Sequence, residues 1–108
     1  MKFDSSFIDT ENDELEIGRN YIYKESMPQQ LFLFRLDDIK IGHPEYGEKY
    51  ITLTITYLKA RYWGDCKIGS QTTISFMDGE HIYFGGMWHI YDEGRYNFLS
   101  EAEQVAFI

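Results

Sequence analysis

From Gly18 onward the chain is dense with strand signals. Asn20-Tyr21-Ile22-Tyr23 opens after Gly18, and Ser26-Met27-Pro28 breaks it. Gln30 to Ile41 is a long apolar segment in which Phe32, Phe34 and Leu36 point one way and Leu31, Leu33 and Arg35 the other. Successive strand side chains face opposite sides, so this segment is apolar on both faces, which places it in the middle of a sheet. Two glycines and a proline in Gly42-His43-Pro44-Glu45-Tyr46-Gly47 predict a loop. Tyr50 to Lys59 then alternates strictly, with Ile51, Leu53, Ile55 and Tyr57 on one face and Thr52, Thr54 and Thr56 on the other. Three β-branched threonines in register predict a half-exposed antiparallel strand.

Register decides the later hairpins. Between Thr72–Phe76 and Glu80–Phe84, a two-residue loop at Asp78-Gly79 would set Phe76 against His81 and waste the apolar pattern. A three-residue loop, Met77-Asp78-Gly79 with Gly79 left-handed, pairs Phe76 with Glu80 and Ile74 with Ile82. Ile74, Phe76, Ile82 and Phe84 then share one face, and Thr73, Ser75, His81 and Tyr83 the other. The same argument at Asp92-Glu93-Gly94 pairs Tyr91 with Arg95 and Ile90 with Tyr96. It gathers Trp88, Ile90, Tyr96 and Phe98 on one face and His89, Tyr91, Arg95 and Asn97 on the other.

Ser100-Glu101-Ala102-Glu103 has the spacing of a capping box, in which the Ser and Glu side chains satisfy each other's free amides. Only a short helix fits in the residues that remain, and it must lean on the sheet to survive. The expected fold is therefore mainly β: about seven short strands in a small antiparallel SH3-like barrel or curved sheet, with a short C-terminal helix over 100–108. A β-sandwich is the second choice. No crossover helix is available for a parallel sheet. The 108 residues form one domain, with residues 1–16 an acidic lead-in that need not be ordered and 17–99 the β body.

Charge changes this picture, because it is placed unevenly. The chain carries 18 acids against 10 bases, a formal charge of -8. Met1 to Glu16 holds six acids and one base, the middle to Gly79 seven acids and eight bases, and Glu80 to Ile108 five acids and one base. The excess belongs to the two ends. A nucleic-acid binder needs a basic face to release counterions, so direct binding to nucleic acid is disfavoured. The same field attracts a basic protein and speeds its association, although it also serves solubility alone. No apolar run reaches the roughly 18 residues of a membrane span, and Met1 to Thr10 lacks the basic and apolar regions of a leader. With a single cysteine, Cys66, no internal disulfide is possible. The expectation is a cytoplasmic protein that does not engage membranes.

Candidate chemistry is sparse. His43, Cys66, His81 and His89 lack zinc-ligand spacing, and no metal or other cofactor is expected. Cys66 sits between Asp65 and Lys67, without a base to activate it. The carboxylate pairs Asp37-Asp38 and Asp92-Glu93 read as loop or turn residues, and strand neighbours face opposite ways in any case. No nucleophile elbow, phosphate loop or dinucleotide fingerprint is present, so the chain does not read as an enzyme.

Two surfaces remain. Lys59, Arg61, Tyr62 and Trp63, with His81, could form a nucleotide or small-ligand site, the rings stacking a base and the cations meeting phosphate. Alternatively, these rings pack at a barrel rim and the cations sit in solvent. The second surface is the acid itself: Asp9, Glu11, Asp13, Glu14 and Glu16, with Tyr83 and Tyr91 as anchors for a basic protein partner. In composition, though in no motif, the chain resembles the small acidic proteins of phages and mobile elements that disable host nucleases, and the immunity proteins that neutralise nuclease toxins. The expected function is inhibition or neutralisation of a basic, nucleic-acid-handling protein. A ligand-binding β-module and a homo-oligomeric assembly component are the alternatives.

Overall fold

The computed structural model describes residues 1–26, 29–60, 67–79, 88–95, 97 and 99–105. Among the described residues six strands form one sheet: β1 (Ile8–Asp9), β2 (Asn20–Ser26), β3 (Gln29–His43), β4 (Gly47–Ala60), β5 (Gln71–Met77) and β6 (Trp88–Asp92). Their order across the sheet is β1-β6-β2-β3-β4-β5. Among the described residues one α-helix, α1 (Glu101–Val105), follows β6, and a 3-10 turn spans Glu11–Asp13. No helix among the described residues is long and apolar enough to cross a membrane.

Of the forms expected from sequence, the curved sheet is the one adopted; it stays open and does not close into a barrel. Strand β3 is central, between β2 and β4, as its two apolar faces require. At 15 and 14 residues, β3 and β4 are far longer than an ordinary strand of about 5–6 residues. Register shifts at Leu33/Phe34, Leu36/Asp38 and Ile41/His43 bend the pair, because each extra residue disrupts the ladder and increases local twist. The curvature is deep enough that Phe76 of β5 meets Trp88 of β6 with ring centroids 5.9 Å apart, although β2, β3 and β4 lie between their strands in the sheet order.

The concave face holds the main core: Tyr21, Tyr23, Phe32, Phe34, Leu36, Ile51, Leu53, Ile55, Phe76 and Ile90. Its lid is the acidic lead-in. Phe3, Phe7, Ile8 and Leu15 are at most 3% exposed and belong to the same cluster. Through these four side chains the lead-in packs into the main core. The physical reason lies in four apolar side chains spaced among the acids, which are worth burying once a concave apolar surface exists to receive them.

Hydrogen bonds fix the segment at both rims of the curl. The Asp4 amide donates to Asp78 Oδ1 at 2.8 Å and the Gly79 amide to Ser5 Oγ at 3.0 Å, beyond the end of β5. At the other rim β1 lies parallel to β6, Ile8 opposite Ile90 and Asp9 opposite Tyr91. This parallel pair was not foreseen, since it needs no crossover helix when nearly the whole domain is the connection.

The hairpin expected at Asp92-Glu93-Gly94 does not form. The turn is present, with the Arg95 amide donating to the Asp92 carbonyl at 3.2 Å and Gly94 at a φ of 92°. Arg95 and Asn97 nevertheless leave the sheet, because β2 and β1 already occupy both edges of β6. Tyr96 and Phe98, with the whole proposed strand Glu80 to Phe84 and the bend at Gly85-Gly86, lie outside the described residues. Asp37 and Asp38 are likewise not in a loop: they sit inside β3 at its central bulge.

On the convex face, Ile22, Leu31, Leu33 and Leu99 make a second, smaller core, with Leu58 and Tyr91 against it. Leu99 anchors α1. The capping box is formed as expected, the Glu103 amide donating to Ser100 Oγ at 3.2 Å and the Ser100 amide to Glu103 Oε1 at 2.9 Å. Lys24 also meets Glu103 Oε1 at 3.4 Å, so the helix leans on β2.

Candidate functional site

The two acidic ends of the chain meet. The parallel β1–β6 pair places Asp9 beside Tyr91, and the next turn brings the Glu11 amide within 2.7 Å of Asp92 Oδ2. Glu93, next in sequence, accepts from Asn20 Nδ2 at 3.3 Å. Asp4, Asp9 and Asp13 border one shallow hollow of about 240 Å³ with Phe3, Ser5 and Ile8. Asn12 and Asp13 both have positive φ, 60° and 55°, a region that short polar side chains tolerate better than most. These two residues turn the chain so that the Phe3 amide reaches the Asp13 carbonyl at 2.9 Å and the Leu15 amide the Met1 carbonyl at 2.8 Å.

Each predicted partner-binding residue except Tyr83, which lies outside the described residues, has a definite place. Glu11, Asp13 and Glu16 are exposed, whereas Asp9 and Glu14 are half-buried. Glu14 lies opposite Lys2 in an isolated antiparallel backbone bridge, and Glu16 pairs with Arg19 at 3.7 Å. Asp9 is the best-partnered acid of the edge: Arg95 Nη1 donates to its carbonyl and to its Oδ1, both at 3.2 Å. The Arg95 guanidinium also lies 5.8 Å from the Tyr91 ring centre, and the His89 ring stacks on Tyr91 with centroids 5.7 Å apart. His89, Tyr91 and Arg95 are therefore together, as the alternation predicted, though Arg95 arrives from a turn and not from a strand. Burial holds the His89 imidazole below its ordinary pKa, opposed by the nearby Asp9 charge, and raises the Tyr91 phenol.

Comparison with known proteins supplies no template for this edge. The chain matches no protein-family model, no curated protein and no solved structure.

The predicted ligand cluster is described only at Lys59, which is exposed near the end of β4. Arg61, Tyr62, Trp63, His81 and Tyr83 lie outside the described residues, as does Cys66. Among the described residues, no group of three His, Cys, Asp or Glu side chains is gathered so as to hold a metal ion.

Sequence reasoning missed Asp92 and Glu93 as surface acids that join the lead-in, and it missed Glu25. The first pair carries no local signal of that role, since it depends on a contact between residues 81 positions apart. Glu25 did carry one. Tyr21, Tyr23 and Glu25 alternate onto one strand face, which puts a carboxylate in line with two core tyrosines.

Proposed function

We propose that this protein is a non-enzymatic acidic binding protein that docks on a basic, nucleic-acid-handling protein and blocks it, as anti-defence and toxin-immunity proteins do. The observation that carries this reading is the Glu11–Asp92 contact, through which the acids of both chain ends border one edge of a folded domain. Acids spread evenly over a surface serve solubility; acids gathered on a rigid edge make a directional field that orients an approaching cation-rich partner. The edge also carries half-buried Tyr91 and His89, the amphipathic rings that anchor interfaces once charge has brought the partners together.

The decisive experiment immobilises the wild-type protein and a Glu11→Lys/Asp13→Lys/Glu93→Lys variant, which keeps the Asp92 acceptor, side by side and passes a lysate over both at low salt. A basic nuclease or nucleic-acid-binding protein retained by the wild type, released by salt and lost from the variant, with its activity suppressed in the complex, is the expected result. Retention of the same protein by both surfaces, or suppression that salt does not weaken, removes the proposal.

A further inference from the structure

The lead-in caps one end of the concave face and leaves a groove at the other. This groove, about 300 Å³, runs between Tyr23, Glu25, Phe32 and Trp88 on one side and the edge of β5, from Thr72 to Ser75, on the other. That volume is at the lower end of the range for ligand sites, suited to one side chain more than to a large molecule. Three of its rings are held in a stack: Tyr23 lies 4.7 Å from Phe32 at 11° and 5.5 Å from Trp88 at 19°. Tyr57 meets Phe32 edge-on at 4.9 Å.

Among these rings stands one half-buried carboxylate. Glu25 is opposite Trp88 on β6 and Gln30 on β3. Its Oε1 accepts from the Tyr23 hydroxyl at 3.2 Å and from Gln30 Nε2 at 3.0 Å. Among the described residues it has no ion pair, and the neighbouring Lys24 points to the opposite face, toward Glu103. No described residue lining the groove is cationic. Removing a carboxylate from water without a counter-charge is costly, and burial indeed holds the Glu25 carboxyl above its ordinary range. The carboxylate repels an anion, and the apolar ring surface beside it suits a cation carried on an apolar stem.

We infer that this groove receives an arginine side chain of the basic protein partner, its guanidinium paired with Glu25 and its apolar stem along the aromatic side chains that line the groove. Arginine fits better than lysine because the planar guanidinium meets a carboxylate through two parallel N–H donors and is more weakly hydrated than ammonium. A nucleotide phosphate fits worse, having no cation to meet there. The inference rests on the basic-partner reading and names the group by which that partner is gripped after the acidic edge has steered it in.

The test is a titration of the folded, isotopically labelled protein with N-acetyl-arginine amide, followed by the indole cross-peak of Trp88. N-acetyl-lysine amide and the uncharged citrulline analogue serve as comparisons. A saturable shift with the arginine compound is expected, weaker with lysine and absent with citrulline. Glu25→Gln should weaken it about tenfold or more, Tyr57→Leu severalfold, and Glu48→Gln on the distant hairpin not at all. Absence of a saturable shift, or a shift that survives both Glu25→Gln and Tyr57→Leu, overturns the inference. Its failure is separable from that of the basic-partner reading: the charge-reversed edge changes capture of the partner without touching the arginine titration. An arginine titration that succeeds while edge reversal leaves capture unchanged removes the partner reading and keeps the groove.

Discussion

The Glu11 amide donates to the Asp92 carboxylate at 2.7 Å, across 81 residues of sequence. This bond satisfies a backbone donor in the first turn after β1 and fixes the lead-in beside the turn that ends β6. Two acidic segments that repel each other are held together by it and by the Arg95–Asp9 pair at 3.2 Å. The apolar side chains beneath, Phe7 and Ile8, supply the larger driving force, since exposed ion pairs contribute only about 0–1 kcal/mol.

Edge charge should govern the rate of association more than the lifetime of a complex. Reversing Glu11, Asp13 and Glu93 to lysine is expected to slow capture of a basic partner by about tenfold or more at low ionic strength, with a small change in dissociation rate. Surface-plasmon measurements over a salt series check this. The wild-type rate should fall steeply as the screening length shrinks, and the variant rate should not.

Phe7 is the member of the lead-in whose loss should be felt most. It is 2% exposed and touches Phe76 at 5.2 Å and Trp88 at 4.3 Å, so it packs against both rims of the curled sheet. Phe7→Ala is expected to destabilise by about 3–5 kcal/mol, the usual cost of removing a buried aromatic ring. Urea denaturation gives the value. A loss below about 1 kcal/mol would show that the lead-in is peripheral to the core.

The capping box offers a smaller and more local effect. Ser100→Ala removes the side-chain acceptor for the Glu103 amide and should cost about 1 kcal/mol. Burial raises the Glu103 carboxyl, but the Ser100 amide and the Lys24 charge outweigh it and hold the group below its ordinary range. The stabilisation is therefore present above the ordinary glutamate pKa and lost as pH falls through the folded value. Glu103→Gln removes the titrating carboxylate, so the denaturation midpoints of wild type and Glu103→Gln should differ at neutral pH and converge in acid.

Two carboxylates should titrate in opposite senses. Asp37, at the central bulge, accepts from Thr56 Oγ1, from Arg35 Nε at 2.7 Å and from Gln71 Nε2 at 3.0 Å. These bonds lower its pKa, so its contribution is present at neutral pH and lost in acid. Desolvation raises Glu25, so its charged form opposes folding, and stability declines as pH rises from the ordinary glutamate value through the folded one. Asp37→Asn should lower the melting temperature at pH 7, and Glu25→Gln should raise it, with both differences shrinking toward pH 3. Melting curves at the two pH values decide the signs.

How much of this was legible in advance follows from the range of each interaction. The alternation of Ile51, Leu53 and Ile55 with threonines, the two apolar faces of β3, the turn at Asp92-Glu93-Gly94 and the Ser100–Glu103 cap all appear as read. Each depends on residues within a few positions of one another, where period and cap chemistry act directly. The expected strand from Arg95 failed because β6 had two other neighbours available, β2 and β1, and edge occupancy is invisible in local pattern. Asp37-Asp38 was misplaced because a bulge accommodates polar residues inside a strand as readily as a turn does.

The sequence by itself determined a mainly β chain, a central β3, a capped terminal helix and an acid excess at both ends. Tertiary structure alone decided that the lead-in is core, that the two acidic ends share an edge, and that Glu25, without an ion pair among the described residues, stands beside a stack of rings. The division has one physical cause. Backbone periodicity is set by neighbouring residues, whereas burial of Phe3, Phe7 and Leu15 depends on a concave surface that exists only after distant strands have curled around it.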